Sequence, residues 1–516
     1  MAKKLDRLAD LKQFALCYTE PLRLMPPSGT QVAVQAVADA LLAYPGGTKV
    51  IHVPMDCAQY NTEGLVFTGP VQLGWMKQCL ARPHCFVLHV DGKHKLHHGG
   101  WVLMTVGTHY LRYDEHNSCL SVSFAPFCYL MCKQVETGSV DALGSANMLL
   151  DSLDFVTVKC FDQVLQPGAG IADHCPAYLQ AYKRAFPDMP FGQCWPHLSR
   201  KFKGGEYTKT TWKYFQDASN HIRLIHMAIT EEARDLLTEQ CGKRWDKWGH
   251  QMDMFWDSNC RPPWNCWSMT FECPLATPNN NPHEAWHNQL IKVKIPGMFR
   301  GSTEQVFSVA LPQLIEQDGW QKPSVLPYSI PMLPLAMLEK ALWYVVNKDT
   351  HVMAFKMDDE SVAFFVLVKD NEFGAKKITK KLMHMFNRLM IGEMDPRLKD
   401  LDSLLDLSAS LHVVYDAGEK YPPLDAGTAN ACGYSCMGCK GFQGVGICSH
   451  VLAINHIMKK FNLRYELKQV QTEASKKAGG RAQLKKYPAL VRVPVAPPTA
   501  ADEEEEHLQA LGMEGQ

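Results

Sequence analysis

Apolar residues fall into short dense runs from about residue 85 onward. Phe86-Val87-Leu88-His89-Val90 ends at Asp91-Gly92, and Trp101 to Tyr110 and Leu120 to Met131 form two longer runs parted by the polar stretch Asp114 to Ser118. Runs of this length with polar breaks predict three strands in an antiparallel meander. Helical spacing follows at Leu143, Ala146, Leu150 and Leu153, and leads to a fourth strand, Gly170 to Ala172, that delivers Asp173. Beyond it, Tyr178, Ala181, Tyr182 and Ala185 recur at i, i+3, i+4 and i+7, one apolar stripe on a helix. Three strands, a helix, a strand and a helix predict an α/β unit.

Residues 204–270 read mainly as helix, with Ile222, Ile225, Met227 and Ile229 followed by Trp245, Trp248, Trp256, Trp264 and Trp267. Large aromatics dominate interiors, so the tryptophans are expected in the core, with stacking on unpaired bases as the alternative. A further helix opens at Asn281, with Pro282 at its first position and Glu284 at the third. Four prolines between Gly319 and Pro334 mark a boundary. A strand at Val362 to Val368 and a basic helix from Lys376 to Met390 come next. These signals divide the chain into an N-terminal accessory region without a motif (1–80), a core (81–320) with a helical insertion at about 204–275, a connecting α/β region (335–415), a small Cys-rich module (416–465) and a flexible tail (466–516).

At 516 residues the chain exceeds one hydrophobic core, and with 46% apolar residues and 12 tryptophans it is not disordered. Its net charge is zero, so a nucleic-acid partner has to be met by local basic patches. The opening MAKKLDRLADLKQF lacks the apolar centre of a signal peptide, and no apolar run reaches bilayer-spanning length. An intracellular protein without a membrane partner is expected. Its 18 cysteines are then reduced, and those at ligand spacing are candidates for metal.

Three acids stand at element ends: Asp91, Asp173 and Glu284. Hard ions such as Mg²⁺ or Mn²⁺ take carboxylates converging from separate elements, a site suited to phosphodiester cleavage. Each acid also has a structural alternative. Asp91-Gly92 suits a hairpin turn, Asp173 a helix N-cap, and Asn281-x-x-Glu284 a capping box. Cys194-x-x-His197 follows the second acid. Near the C-terminus, Cys436-x-x-Cys439 and Cys448-x-His450 supply four soft ligands among Gly438, Gly441, Gly444 and Gly446, the set that one tetrahedral Zn²⁺ requires, with Cys432 as a spare. Lys93, Arg200, Lys201 and Lys203 are candidate phosphate contacts, as are Lys209, Lys213 and Lys376, Lys377, Lys380 and Lys381.

The run Asp91-Gly92-Lys93-His94-Lys95-Leu96, the Asp173 block with Phe186-Pro187 and Cys194-x-x-His197, and Asn279-Asn280-Asn281-x-x-Glu284 with Lys292 resemble, in order, the core of Mutator-like element (MULE) transposases. The likeness spans about residues 85 to 300, and the C-terminal module looks like the SWIM zinc finger that often accompanies such cores. It implies an RNase H-like catalytic core with a helical insertion, in which Asp91, Asp173 and Glu284 form a D-D-E triad holding Mg²⁺ or Mn²⁺. Cys194 and His197 would be the accompanying pair. Cys436, Cys439, Cys448 and His450 would hold a structural Zn²⁺. The implied activity is nuclear DNA nicking and strand transfer, with DNA ends and target as partners, protein partners through the zinc module, and a homo-oligomer as the working form. A domesticated relative acting as a DNA-binding regulator or protein adaptor without transposition activity, and a nuclease acting on RNA or hybrids, are the alternatives. The sequence departs from the family at Lys93, where a threonine is usual, and in the first zinc pair, usually C-x-C.

Overall fold

A computed structural model describes residues 20–21, 51–93, 101–133, 139–270, 281–289, 333–356, 362–416 and 434–477, apart from single positions within these ranges. The chain is mixed α/β and divides into two compact units. The first comprises Met1–Arg112, Ser121–Asn220 and Arg244–Pro331; the second comprises Tyr113–Leu120, His221–Lys243 and Met332–Gln516. The inferred boundary near Gly319 to Pro334 lies almost wholly outside the described residues, and the units part at Pro331.

The first unit is built on a sheet of β1 (Glu20–Pro21), β2 (Ile51–Val53), β3 (Glu63–Thr68), β4 (Val87–Lys93), β5 (Trp101–Asp114), β6 (Cys119–Lys133), β7 (Ala169–Ala172) and β8 (Phe191–Gln193). Their order is β1-β2-β3-β6-β5-β4-β7-β8. β4 runs antiparallel to β5 and parallel to β7, and β7 runs parallel to β8. Residues 51–80, part of the N-terminal region to which the sequence assigns no motif, extend this sheet through β2 and β3 and add helix α1 (Pro70–Leu80). The Asp91-Gly92 pair is not a hairpin turn. It lies inside β4, with Asp91 facing Thr105 and Gly92 facing Met104 across the ladder.

Helices α2 (Ser139–Phe161) and α3 (Pro176–Ala185) supply the crossovers to β7 and β8. Pro176 sits at the start of α3 and Cys175, not Asp173, is its N-cap residue. Tyr182 on α3 is buried and its hydroxyl donates to the Leu88 carbonyl at 3.0 Å. Gly170 makes that approach possible, because a Cβ there would come within 2.9 Å of the Tyr182 ring. Val66, Leu88, Val90, Phe127, Leu149, Leu153 and Tyr182 belong to one core between sheet and helices. After α4 (Trp195–Lys203), the insertion folds as α5 (Phe215–His226), α6 (Glu231–Lys247) and α7 (Asp253–Asn259), and α8 (Asn281–Gln289) follows. Trp245 and Trp267 are core residues, each edge-on to Phe255.

The second unit contains α9 (Leu335–Val346), α10 (Lys348–His351), β9 (Val352–Lys356), β10 (Val362–Leu367), α11 (Lys380–Met390), α12 (Leu401–Ser410), β11 (Leu411–Asp416), β12 (Tyr434–Met437), α13 (Lys440–Val445), α14 (Ser449–Ile457) and α15 (Leu463–Lys477). Its sheet is antiparallel, in the order β12-β11-β10-β9. The basic helix starts at Lys380, where Thr379 caps it by accepting from the Leu382 amide. Helix α14 is buried almost all round and carries His450, which fixes that side chain in a dry interior. Expected as flexible from residue 466, the chain instead continues as α15 to Lys477, and the rest of the tail lies outside the described residues. Among the described residues no helix is long and apolar enough to cross a membrane.

Candidate functional site

The ladder registers set the chemistry. His89 faces Ile171 between β4 and β7, and Ala172 faces Gln193 between β7 and β8. Continued to the carboxyl ends of these strands, that register places Asp91 beside Asp173 and Asp173 beside Cys194. The Cys194 amide extends the ladder by donating to the Ala172 carbonyl at 2.9 Å. Neighbouring strands lie about 4.8 Å apart, so three functional groups form one row. Carboxyl ends of parallel strands are where open α/β sheets collect ligands.

Helix α8 contacts β4 and brings three polar side chains to this row. His287 Nδ1 lies 3.2 Å from Asp91 Oδ2, and its Nε2 lies 3.1 Å from the Thr105 hydroxyl. The same hydroxyl meets His283 Nε2. Glu284 Oε1 meets both His197 Nε2 and the Arg200 guanidinium. On the other edge of the His197 ring, Nδ1 is 2.5 Å from Asp173 Oδ1 and 3.1 Å from Cys194 Sγ. The Asp173 and Glu284 carboxylates are thus separated by one imidazole ring. Asp91, Asp173 and Glu284 do come together, with His197 between the last two.

Electrostatics follow from this crowding. Burial raises the Asp173 carboxyl above the usual range, the charges of Asp91 and Glu284 add to the rise, and His197 opposes it. Burial would also raise Glu284, but His197 and Arg200 hold it down at about 2. Burial disfavours charge on His197, yet Asp173, Cys194 and Glu284 outweigh it and carry the ring up to about 12. Burial takes His283 and His109 well below the histidine range, so these rings behind the row are neutral.

The second cluster lies wholly in the C-terminal unit. His412, Cys436, Cys439 and His450 each place one ligand atom within 4.8 Å of the others, and this group can hold a metal ion. Zn–N bonds of about 2.05 Å and Zn–S bonds of about 2.3 Å at tetrahedral angles give N–N and N–S edges of roughly 3.4 and 3.6 Å. His450 Nδ1 is 3.3 Å from His412 Nδ1, 3.6 Å from Cys436 Sγ and 3.6 Å from Cys448 Sγ. Cys448, expected as a ligand, is not one of that group, although its sulfur lies against the same His450 nitrogen, so five donors surround a seat for four. The Tyr344 hydroxyl, 3.1 Å from His450 Nε2, fixes the ring with Nδ1 toward the thiols. Hydrogen bonds from Cys436 and Cys448 hold the Cys439 thiol well below its usual pKa, so one sulfur there favours the ionised form that binds metal. Gly438, at φ +77°, makes the turn between the first two cysteines. A cavity of about 480 Å³ adjoins the cluster, and Arg223, Lys340 and Lys440 are among its lining residues.

His287, Thr105 and His412 escaped sequence reasoning. His283 and His287 are one helical turn apart and flank Glu284, a signal that was there to read. His412 sits on β11, 24 residues before Cys436, with no local pattern around it. Of the candidate phosphate contacts, Arg200 is engaged by Glu284, Lys201 pairs with Glu206 at 3.3 Å, and Lys203 is exposed. Lys93 lies in β4, with its side chain outside the described residues. His94, Lys95, Leu96, Asn279, Asn280, Lys292 and Cys432 also fall outside them. Compared with protein-family models and with curated proteins, the chain matches none.

Proposed function

We propose that the chain is a metal-dependent DNA-cleaving enzyme of the Mutator-like transposase class, with an RNase H-like core and a SWIM-type zinc module. The observation that carries this reading is the Asp91–Asp173 pair, set side by side just past the point where the parallel pairing of β4 and β7 ends, with Glu284 brought over it by α8. The strand order β6-β5-β4-β7-β8, with β4, β7 and β8 parallel, supports an RNase H-like core.

The donors fit hard ions. Asp91 and Asp173 offer carboxylate oxygens side by side, and the charge of Asp91 is close enough to help raise the Asp173 carboxyl. Mg²⁺ or Mn²⁺ held there supplies a polarised phosphate and an activated oxygen nucleophile. His287, held on its other edge by the Thr105 hydroxyl, fixes the Asp91 carboxylate from behind. His197 and Arg200 hold Glu284 one ring away from Asp173, ready to complete the site. The guanidinium of Arg200 is about half exposed, and on release from Glu284 it can meet a phosphate. In the zinc module, Cys436, Cys439, Cys448 and His450 hold Zn²⁺ and His412 is the surplus donor. The cationic lining of the neighbouring cavity supports contact with DNA or an acidic protein. The reading implies a nuclear, self-associating protein.

The test is nicking, in Mg²⁺ and in Mn²⁺, of DNA carrying the sequences that flank the coding region on either side. Wild type is expected to nick and Asp173→Ala to lose about 10²-fold or more, the effect of removing one preorganised charged group. Equal activity in both rules out the assigned centre. The zero net charge and the engagement of Arg200 favour a second reading, a domesticated DNA-binding regulator; it predicts binding of that DNA without metal-dependent nicking.

A further inference from the structure

The row at the strand ends holds a donor that hydrolysis by hard ions does not use. Cys194 is wholly buried at the end of β8, and its sulfur lies against His197 Nδ1. Asp173, Cys194 and His197 each direct one ligand atom to a common point, all within 4.8 Å of one another. One oxygen, one sulfur and one imidazole nitrogen form a mixed donor set that suits a borderline-soft ion over Mg²⁺ or Mn²⁺.

We propose that Asp173, Cys194 and His197 form a Zn²⁺ site beside the hard-ion seat, with Asp173 Oδ1 facing the zinc and Oδ2 left for the ion shared with Asp91. One observation besides the clustering points to an ion: the Nδ1 edge of the ring is directed at Asp173 Oδ1 and Cys194 Sγ, while Nε2 on the opposite edge meets the Glu284 carboxylate. A carboxylate behind a histidine is the common outer partner of a zinc ligand, and Arg200 in turn holds that carboxylate. Nδ1 to Oδ1 at 2.5 Å and Nδ1 to Sγ at 3.1 Å are shorter than the roughly 3.4 and 3.6 Å edges of a zinc tetrahedron. Seating the ion in place of the Nδ1 proton therefore opens these two edges by roughly 0.5–1 Å. Binding forms Zn–O, Zn–S and Zn–N bonds, and the Cys194 thiol proton and the His197 Nδ1 proton leave to solvent. The fourth position stays open to water.

The site does not depend on the chain cleaving DNA, so the two readings fail separately. The experiment is zinc counting on the full chain after dialysis against a weak chelator, together with an anomalous difference map at the zinc edge on wild-type crystals grown with Zn²⁺. The expected result is a peak bonded to Asp173, Cys194 and His197, one fewer zinc per chain in Cys194→Ser than in wild type, and about 10- to 100-fold weaker retention of that zinc in Glu284→Gln, which removes no ligand. Absence of the peak overturns the site even if Cys194→Ser fails to fold. Unchanged zinc content in folded Cys194→Ser and His197→Gln overturns it as well. A zinc peak in a protein that does not nick leaves this inference standing and removes only the enzymatic one.

Discussion

Replacing His450 by alanine is the perturbation with the most direct consequence for the C-terminal unit. The side chain is buried at 3% exposure and Nδ1 lies at tetrahedral edge lengths from Cys436, Cys448 and His412. A structural zinc contributes about 10–16 kcal/mol of folding free energy, so one of four ligands accounts for roughly 3 or 4 kcal/mol. At about 2–4 °C per kcal/mol for a unit of this size, the transition should fall by roughly 6–16 °C. His412→Ala, removing the surplus donor, should cost no more than about 1 kcal/mol, the scale of one ordinary hydrogen bond. Thermal unfolding by circular dichroism, with and without excess chelator, provides the assay. Chelator, which removes the whole ion, should lower wild type by more than the His450→Ala substitution does and should lower the variant further. A wild-type protein that ignores chelator, or a His450→Ala protein that melts with wild type, refutes the zinc assignment. A larger loss in His412→Ala than in Cys448→Ala would exchange the two as fourth ligand.

Other expectations concern the sheet, the row and acid stability. Gly107 faces His89 across the ladder, and a Cβ there would stand 2.1 Å from the Ala125 carbonyl, so Gly107→Ala should lose on the order of 1–3 kcal/mol in denaturant titration. His287→Ala should leave the melting curve of the fold recognisable but reduce Mn²⁺ affinity and nicking together by about 10- to 100-fold, as loss of an outer partner of a ligand does. Asp395 is buried and takes two bonds of 2.7 Å from Arg397, which hold its carboxyl below the ordinary range. A depressed carboxyl contributes stability that is complete above the unfolded aspartate pKa of about 3.9 and lost as pH falls through the folded value. The wild-type transition temperature should therefore drop more steeply below about pH 4 than that of Asp395→Asn. Parallel curves would contradict the pairing.

Much of the core was legible because its signals are local. The runs at Phe86, Trp101 and Leu120 became β4, β5 and β6, and the stripe through Tyr178 and Tyr182 became α3. Residues 51–80 were not legible, because β2 has three residues and joins a sheet whose partners come later in the chain. Asp91-Gly92 misled for a related reason: a pair that suits a tight turn is held extended when a long partner strand, β5, runs past it. Helix α15 was missed because composition beyond residue 466 is charged, while its anchor, Leu463, is fully buried. At the site, the acids and the Cys-His pairs could be listed from spacing. What spacing could not give was the row, since the neighbourhood of Asp91, Asp173 and Cys194 is a property of register between strands far apart in sequence. The same holds for His412, which reaches the thiols across the β11–β12 pairing.

The central claim is that Asp91 and Asp173 share a seat for a divalent ion. Anomalous diffraction from crystals soaked in Mn²⁺ tests it most directly. Density within about 2.0–2.3 Å of both carboxylates, lost in Asp173→Asn, is the predicted result. A map with no manganese between them at saturating Mn²⁺, or with the ion bound only elsewhere, would contradict the account.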